Sequence, residues 1–273
     1  MSNSAARPAL TAVMWPDQSV VVDTSRIAQR GPLLHCITNI VAANFSANAL
    51  LAIGASPAMV ENAAESAEFV APADAVLINL GTMSAERSVA AVTTAATAAR
   101  TDTPWVLDPV AAGVLVERTR LAHELLAHGP TVIRGNASEI MSLAGAGSTG
   151  RGVDSAIDSG EAVAAAVELA RGQESVVAVS GVVDYITDGE TTLSVPGGDA
   201  LLTRVTATGC VLGAMMAAFT AVSDSPLRAA ASASALLAAA GERAGRRNIG
   251  PGSFAVALLD ELFALSQQAI GAR

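Results

Sequence analysis

Lysine is absent from this sequence of 273 residues, and all 16 of its basic side chains are arginine. Enzymes that form a Schiff base need an amine, and so does the phosphate-binding lysine of a Walker motif. The sequence excludes both kinds of site. Cysteine is scarce as well, because Cys36 and Cys210 are too few for the disulfide framework of a small secreted protein.

Positive charge is also in short supply. The chain has 25 acidic against 16 basic residues, a formal net charge of -9, which repels the phosphate backbone of nucleic acids. We therefore expect no nucleic-acid partner. The first residues lack the basic and then apolar order of a signal peptide, so we expect a cytoplasmic protein.

One long run without charge, residues 205–223, raises the question of a membrane span. The run contains Thr206, Thr208, Gly209 and Gly213, and much of the remainder is alanine, which is only weakly apolar. A buried helix that follows a glycine turn explains this composition better than a bilayer span does. We expect no membrane partner.

Short apolar runs alternate with longer alanine-rich stretches through most of the chain. This alternation is typical of βαβ units and predicts an α/β fold, with a mostly parallel sheet that helices cover on both faces. The turn Asp188-Gly189 predicts an antiparallel hairpin over 183–196 at one edge of the sheet. The other predicted strands are 33–37, 75–80, 105–110, 131–135 and 175–180.

Some helix ends can also be read from the sequence. Ser84 is expected to cap a helix over 85–100, and Ser253 is expected to cap a helix near the C-terminus. The apolar stripe of that last helix is Phe254, Leu258, Leu262 and Leu265.

The domain organisation is expected to be simple. Residues 1–30 show no sustained period and are interpreted as a variable lead-in, so that the folded core begins near Leu33. Glycine and serine concentrate at 145–160, which is interpreted as a loop rather than a linker. We therefore predict one domain over 31–273.

Polar side chains follow three consecutive predicted strands. Asp108 follows one strand, Arg134 and Glu139 follow the next, and Ser180 follows the third. Ligands of open parallel sheets bind at the carboxyl ends of the strands. Either acid alone is more simply explained as a cap of the following helix. Together the four residues offer carboxylates for a hydrated Mg²⁺, a guanidinium for phosphate oxygens and a hydroxyl, as phosphoryl transfer requires.

A second group is TATGC at 206–210, which opens the uncharged helix. Backbone N–H groups at such a helix start form an anion site and lower the pKa of a thiol placed there, so we expect a lowered pKa for Cys210. Tight packing also requires small residues, and the motif alone leaves both explanations open. Met59 is more often core filler, although its thioether suits a small heteroaromatic ring.

Eight blocks of the sequence, spread over residues 31–265, resemble the hydroxyethylthiazole kinase family in the same order. The blocks are HCITN (35–39), NFSANALLAIGASPAM (44–59), INLGT (78–82), DPVAAG (108–113), IRGNASEI (133–140), VAVSGVVDYITDG (177–189), TATGC (206–210) and GPGSF (250–254).

This resemblance implies a ribokinase-like fold, a three-layer α/β/α sandwich whose mostly parallel central sheet has an antiparallel edge. It implies transfer of the γ-phosphate of ATP to the hydroxyl of 4-methyl-5-(2-hydroxyethyl)thiazole, a step in thiamine salvage, with Mg²⁺ as cofactor. It also implies a homotrimer with the thiazole pocket between subunits.

The resemblance carries roles to particular residues of this chain. Arg134 and Ser180 match ATP contacts, and Asn39, Met59 and Gly209 match contacts of the thiazole substrate. Asp108 and Glu139 match the acids near Mg²⁺ and the phosphates. Cys210 stands where related sugar and pyrimidine kinases have a catalytic aspartate, and it is the expected general base.

The sequence departs from the family pattern at Ala111 and Ala207, where the family has glycine. An alanine held at positive φ is strained, and at Ala207 it would strain the anion site.

Other functions stay open at this point. One is a different ribokinase-like phosphotransferase, of the hydroxymethylpyrimidine kinase type, or an ATP-dependent dehydratase of the same fold. Another is a covalent enzyme in which Cys210 is the nucleophile and His35 its base. A third is a relative that binds ATP without turning it over.

Overall fold

A single mixed sheet lies at the centre of the computed structural model, which describes residues 10–146, 158–247 and 250–272. Within these residues its order is β1-β9-β8-β7-β6-β5-β4-β2-β3, and every neighbouring pair is parallel except those that β8 makes with β7 and β9. The predicted mostly parallel sheet and its antiparallel hairpin are confirmed. The strands are β1 (Thr11–Ala12), β2 (Leu33–Ile37), β3 (Ser56–Ala58), β4 (Ala75–Asn79), β5 (Trp105–Asp108), β6 (Val132–Asn136), β7 (Val176–Ser180), β8 (Val183–Thr187) and β9 (Thr192–Pro196).

Helices cover both faces of the sheet, which confirms the three-layer α/β/α architecture. One apolar core joins the sheet to α1, α2, α8, α9 and α10, and a second core joins the opposite face to α4, α5, α6 and α7. The helices are α1 (Gln18–Arg30), α2 (Ala43–Ala52), α3 (Ala63–Phe69), α4 (Ala85–Thr101), α5 (Val116–Leu126), α6 (Ala137–Leu143), α7 (Val163–Gln173), α8 (Thr208–Thr220), α9 (Pro226–Gly245) and α10 (Pro251–Gly271).

Strand alternation divides the side chains between the two cores. In β4, Leu77 belongs to the core on the α8 side, whereas Val76 and Ile78 belong to the opposite core. The same holds in β5 for Val106 and Leu107. Side chains two residues apart share a face of the sheet, and this rule also decides where the polar residues at the strand ends point.

The predicted helix ends are right in one case and wrong in another. Ser84 caps α4 by accepting a hydrogen bond from the backbone N–H of Arg87 at 3.2 Å. Ser253 does not cap α10, because that helix already begins at Pro251, after Gly250. Proline is pre-organised for the first turn of a helix and lacks the N–H that would need a partner there. The predicted stripe of α10 is fully buried: Phe254, Leu258, Leu262 and Leu265.

The folded core begins earlier than the sequence predicts, and the start near Leu33 is wrong. Helix α1 lies within the stretch interpreted as a lead-in, and its Val20 and Ile27 are fully buried in the core. Asp23, also fully buried, accepts hydrogen bonds from Arg228 and from Ser223 at 2.8 Å. A buried carboxylate on the inner face of α1 breaks the apolar period by which a helix is recognised.

The uncharged run forms α8, in which residues 211–219 are all buried. No helix among the described residues is long and apolar enough to cross a membrane. Most of the loop predicted over 145–160 lies outside the described residues, which resume at Asp158.

Candidate active site

Four polar residues at or near the ends of neighbouring strands point to the same face of the sheet. Asn79 ends β4 directly opposite Asp108 at the end of β5, Arg134 lies in β6, and Ser180 ends β7. Each of them stands two residues after a side chain of the core on the α8 side, so strand alternation turns all four toward α8. The predicted convergence of Asp108, Arg134 and Ser180 is therefore confirmed.

Two amides link the carboxylate to the cysteine. The Nδ2 of Asn79 donates to Oδ2 of Asp108 at 2.6 Å, and the Nδ2 of Asn39 donates both to Oδ1 of Asn79 at 2.9 Å and to Sγ of Cys210 at 3.2 Å. Asn79 and Asp108 are fully buried, and Asn39 is 6% exposed. The chain of hydrogen bonds therefore runs from the first turn of α8 to the centre of the sheet.

The Arg134 guanidinium continues this chain of hydrogen bonds on the other side of Asp108. Arg134 donates from Nη1 to Oδ1 of Asp108 at 3.3 Å and from Nη2 to Oγ of Ser180 at 2.6 Å. Burial lowers the pKa of Arg134, but the charges of its acidic neighbours outweigh burial and raise it, so the guanidinium stays protonated. Burial also raises the pKa of Asp108, against the charge of Arg134 and the hydrogen bonds from Asn79 and Arg134.

Helix α8 lies directly over this ion pair because two glycines face it. A Cβ on Gly209 would meet Nη2 of Arg134 at 2.9 Å, and a Cβ on Gly213 would meet Oδ2 of Asp108 at 3.2 Å. These glycines are four residues apart and share one face of the helix. Gly209, which the resemblance assigned to the substrate, is thus also required for packing over Arg134.

Glu139 adjoins the ion pair from the first turn of α6. Its Oε2 accepts the backbone N–H of Asn136 in a capping box, and its Oε1 accepts the backbone N–H of Ala111, both at 2.8 Å. Burial and the charge of Asp108 raise the pKa of Glu139 to about 7. The helix-cap role and proximity to Asp108 therefore coexist in one side chain.

The expected lowering of the Cys210 pKa is wrong. Burial and the charge of Asp108 raise the pKa of this thiol to about 11, against the charge of Arg134 and hydrogen bonds from Asn39 and Asn79. A helix N-terminus is worth at most about 2 kcal/mol to a nearby anion, whereas desolvation moves buried groups by several pKa units. Cys210 is therefore a protonated thiol at neutral pH in the free protein.

His35 lies apart from this arrangement in its contacts. Its Nε2 is 2.7 Å from the carbonyl oxygen of Val60, and its ring packs edge-on against Phe69. Cys210 accepts a hydrogen bond from Asn39, and the covalent interpretation with His35 as base gains no support. Met59 follows β3 and is half-buried against the core on the α8 side.

Asn79 is the site residue that the sequence interpretation missed. It lies within the block INLGT, but an amide after a strand is usually assigned to a turn, and it does bond the N–H of Gly81 at 2.9 Å. Its position at the carboxyl end of a buried strand, in the same phase as Asp108, is the signal that would have found it.

Comparisons with known proteins agree on one family. The hydroxyethylthiazole kinase family model matches residues 24–268. A hydroxyethylthiazole kinase from Kineococcus radiotolerans is 53% identical over 257 residues, which are 94% of this chain and 94% of the relative. The chain belongs to the hydroxyethylthiazole kinase family. It is accordingly a kinase.

Solved structures place this family member in a wider fold group. The structure of a hydroxyethylthiazole kinase protein from Pyrococcus horikoshii OT3 matches with a TM-score of 0.84 at 39% identity, covering 93% of this chain and 96% of that chain. A ribokinase-like superfamily protein from Enterococcus faecalis V583 matches with a TM-score of 0.60 at 15% identity, covering 94% and 93%. The fold is therefore ribokinase-like, as the resemblance implied.

The two departures from the hydroxyethylthiazole kinase pattern both fall at strained backbone. Ala111 has a φ of 66° and Ala207 a φ of 73°, in the left-handed region that favours glycine. Ala111 donates its N–H to Glu139, and Ala207 directly precedes the first turn of α8. The expectation of strain at Ala207 is thus confirmed.

Proposed function

We propose that the protein transfers the γ-phosphate of ATP to the hydroxyl of 4-methyl-5-(2-hydroxyethyl)thiazole, in thiamine salvage. The observation that carries the proposal is the single hydrogen-bonded chain from Cys210 through Asn39 and Asn79 to Asp108 and Arg134. It combines a group for the alcohol proton, an acid and a phosphate-binding cation at the carboxyl edge of one sheet. Family membership supplies the identity of the alcohol.

On the ATP side, Arg134 and Ser180 contact the phosphates. With no lysine in the chain, arginine is the permanent side-chain cation available for phosphate oxygens. The first turn of α8 adds backbone N–H groups beside Gly209. Positioning and charge stabilisation of this kind supply most of the catalysis in phosphoryl transfer.

On the alcohol side, Asn39, Met59 and Gly209 contact the thiazole, and Cys210 is the general base that accepts the hydroxyl proton. With a pKa of about 11, Cys210 is almost entirely the protonated thiol at neutral pH, and only its thiolate can accept a proton. In a loose transition state the alcohol loses its proton late, so that a small thiolate fraction suffices.

Mg²⁺ is the proposed cofactor, and Asp108 and Glu139 would hold it. The donor set fits a hydrated ion, because Mg²⁺ takes few direct carboxylates and keeps several waters, and Asp108 lies close enough to Glu139 to raise its pKa. When bound, the ion would neutralise charge on the phosphate oxygens. Turnover should therefore stop in excess EDTA and return with added Mg²⁺, and full turnover in EDTA would contradict this role.

A homotrimer with a shared thiazole pocket is part of the proposal. Ile40 and Val41 directly follow Asn39 and are 69% and 55% exposed, and Leu51 on α2 is 59% exposed. Apolar side chains this exposed beside a site are typical of an interface. Light scattering at assay concentration should give three times the chain mass, and a fully active monomer would refute the shared pocket.

We place the protein in the cytoplasm, where ATP is available and free thiols such as Cys36 and Cys210 stay reduced.

The test is a coupled assay of ADP release with ATP and Mg²⁺, with and without the thiazole alcohol. Release that depends on this alcohol and exceeds release with hydroxymethylpyrimidine supports the proposal. Preference for hydroxymethylpyrimidine would favour the alternative kinase. ATP binding without alcohol-dependent release would favour an inactive relative.

A further inference from the structure

Asn79 occupies the middle of the hydrogen-bonded chain, and both polar atoms of its side chain make hydrogen bonds. Its Oδ1 accepts from the backbone N–H of Gly81 and from Nδ2 of Asn39, both at 2.9 Å, while its Nδ2 donates to Asp108 at 2.6 Å. The residue is fully buried. A buried amide with this many partners is held in one orientation.

Backbone donors fix the direction of every bond in the amide pair. A backbone N–H can only donate a hydrogen bond, so the side-chain atom that it contacts must be the amide oxygen. The N–H of Gly81 identifies the amide oxygen of Asn79 in this way. The N–H of Ala42, 2.9 Å from Oδ1 of Asn39, identifies the amide oxygen of Asn39. The two NH₂ groups must then face Asp108 and Cys210. Asp108 is consequently held as an acceptor, and the sulfur of Cys210 receives a hydrogen bond.

The backbone turn at Gly81 also leaves room for Asn39 to lie against Asn79. A Cβ on Gly81 would approach Nδ2 of Asn39 to 2.7 Å and its Cβ to 2.8 Å, so that only glycine leaves room for this amide. Asn79 thus fixes Asn39 from one side while the turn at Gly81 closes on it from the other. Neither amide can rotate without leaving buried groups unpaired.

We propose that Asn79 is a positioning residue of this site, which holds the Asp108 carboxylate and, through Asn39, the Cys210 sulfur in a fixed mutual orientation. The roles of Asp108 and Cys210 in catalysis rest on the proposed function, whereas the orientation of the Cys210 sulfur does not. Asn79 itself stays behind these groups and does not touch the substrate. Its loss should therefore lower kcat far more than it raises either KM.

Two variants of similar size separate positioning from packing. Asn79→Leu removes every polar atom, and Asn79→Asp keeps the acceptor for Gly81 and Asn39 but places an oxygen opposite Asp108. We expect both to lower kcat by about 10²-fold with much smaller changes in KM for ATP and for the alcohol. Gln267→Glu on the exposed face of α10 makes the same amide-to-acid change and should leave kcat unchanged.

A second readout does not depend on turnover. Iodoacetamide at about pH 8 reacts with thiolates, and Cys36 is fully buried with a pKa of about 12, so that alkylation reports on Cys210. Without a fixed Asn39, the sulfur loses the donor that stabilises its thiolate. Alkylation of Cys210, located by mass spectrometry, should be several-fold slower in Asn79→Leu than in the wild type.

The outcomes decide between the two roles. A folded Asn79→Leu with wild-type kcat, or one in which both cysteines react faster, overturns the proposal, because faster reaction at both sites indicates only a loosened core. If Asn79→Leu does not fold, the same two measurements on Asn79→Asp decide. If the wild type makes no thiazole phosphate but alkylation of Cys210 slows as expected, the proposed function fails and the positioning of Cys210 by Asn79 is supported.

Discussion

Arg134 carries the positive charge that the buried acids of the site share. Its charge acts on Asp108 and Glu139 as well as on Cys210, and Asp108 holds it in place. A bound phosphate would compete with Asp108 for the same guanidinium. Arg134 therefore has a structural role in the free protein in addition to the proposed role in binding ATP.

Replacing Arg134 should accordingly affect both stability and activity. Removing one partner of a buried ion pair leaves an unpaired charge and costs about 3 kcal/mol. We expect Arg134→Ala to lower the free energy of unfolding by about that amount and to raise the KM for ATP. Arg134→Lys keeps the charge and should regain much of the stability but not the bidentate geometry toward phosphate. Denaturant unfolding and initial rates check both, and an unchanged KM in folded Arg134→Ala would contradict the binding role.

The pKa of Glu139 predicts a pH dependence of stability. Because folding raises this pKa from 4.5 to about 7, the folded state binds the proton more tightly, and the stability this contributes is lost as the pH rises through about 7. Relative to Glu139→Gln, the free energy of unfolding of the wild type should fall by up to about 3 kcal/mol between pH 5 and pH 8. Urea unfolding of both proteins measures this difference. The titration of His35 affects the stability of both proteins equally and therefore cancels from it. A difference independent of pH would show that Glu139 has an ordinary pKa.

Sequence reasoning at the residue scale succeeded where a strand end determined the outcome. Asp108 and Ser180 end their strands and Arg134 lies two residues before the end of β6, and the three converge because their side chains lie on the same face of neighbouring parallel strands. It failed for the pKa of Cys210, because burial depends on how α8 lies over the sheet. That packing depends on the tertiary fold and is not visible in the local motif.

Among the strands, those of four or more residues were predicted and the shorter ones were not. The five parallel strands and the hairpin match within about two residues at each end. Strands β1 and β3 have two and three residues, too few to show a period. Helix α1 was not predicted because Asp23 occupies its buried face and pairs with Arg228, a partner 205 residues away.

The strained turns before α5 and α8 predict stabilising substitutions. An alanine at positive φ destabilises the folded state by about 1 kcal/mol. Glycine removes this strain, but it also gives the unfolded chain more conformational freedom, which offsets part of the gain in stability. We expect Ala111→Gly and Ala207→Gly each to raise the free energy of unfolding by about 0.5 kcal/mol. Ala96→Gly in the middle of α4 should lower it by about 1 kcal/mol. Thermal melts compare the three, and a loss of stability in Ala207→Gly would show that this backbone is not strained.

At the scale of the whole molecule, the order of the strands brings the chemistry together. Asn39 and Cys210 are 171 residues apart, yet they meet because β2 lies beside β4 and α8 crosses the same face of the sheet. Periodicity predicts strands and helices but not the order of the strands in the sheet, which is visible only in the tertiary structure. The proposed function requires that this edge of the sheet phosphorylates the thiazole alcohol with Cys210 as base.

Formation of thiazole phosphate from ATP by the wild type, Cys210→Ala and Cys210→Asp tests this most directly. We expect the wild type to form it, Cys210→Ala to lose about 10²- to 10⁴-fold in kcat, and Cys210→Asp to retain substantial activity because a carboxylate can accept the same proton. Cys36→Ala, which removes a core thiol outside the site, should match the wild type per folded molecule. A wild type that forms no thiazole phosphate, a Cys210→Ala variant with wild-type kcat, or a covalent adduct on Cys210 during turnover would contradict the account.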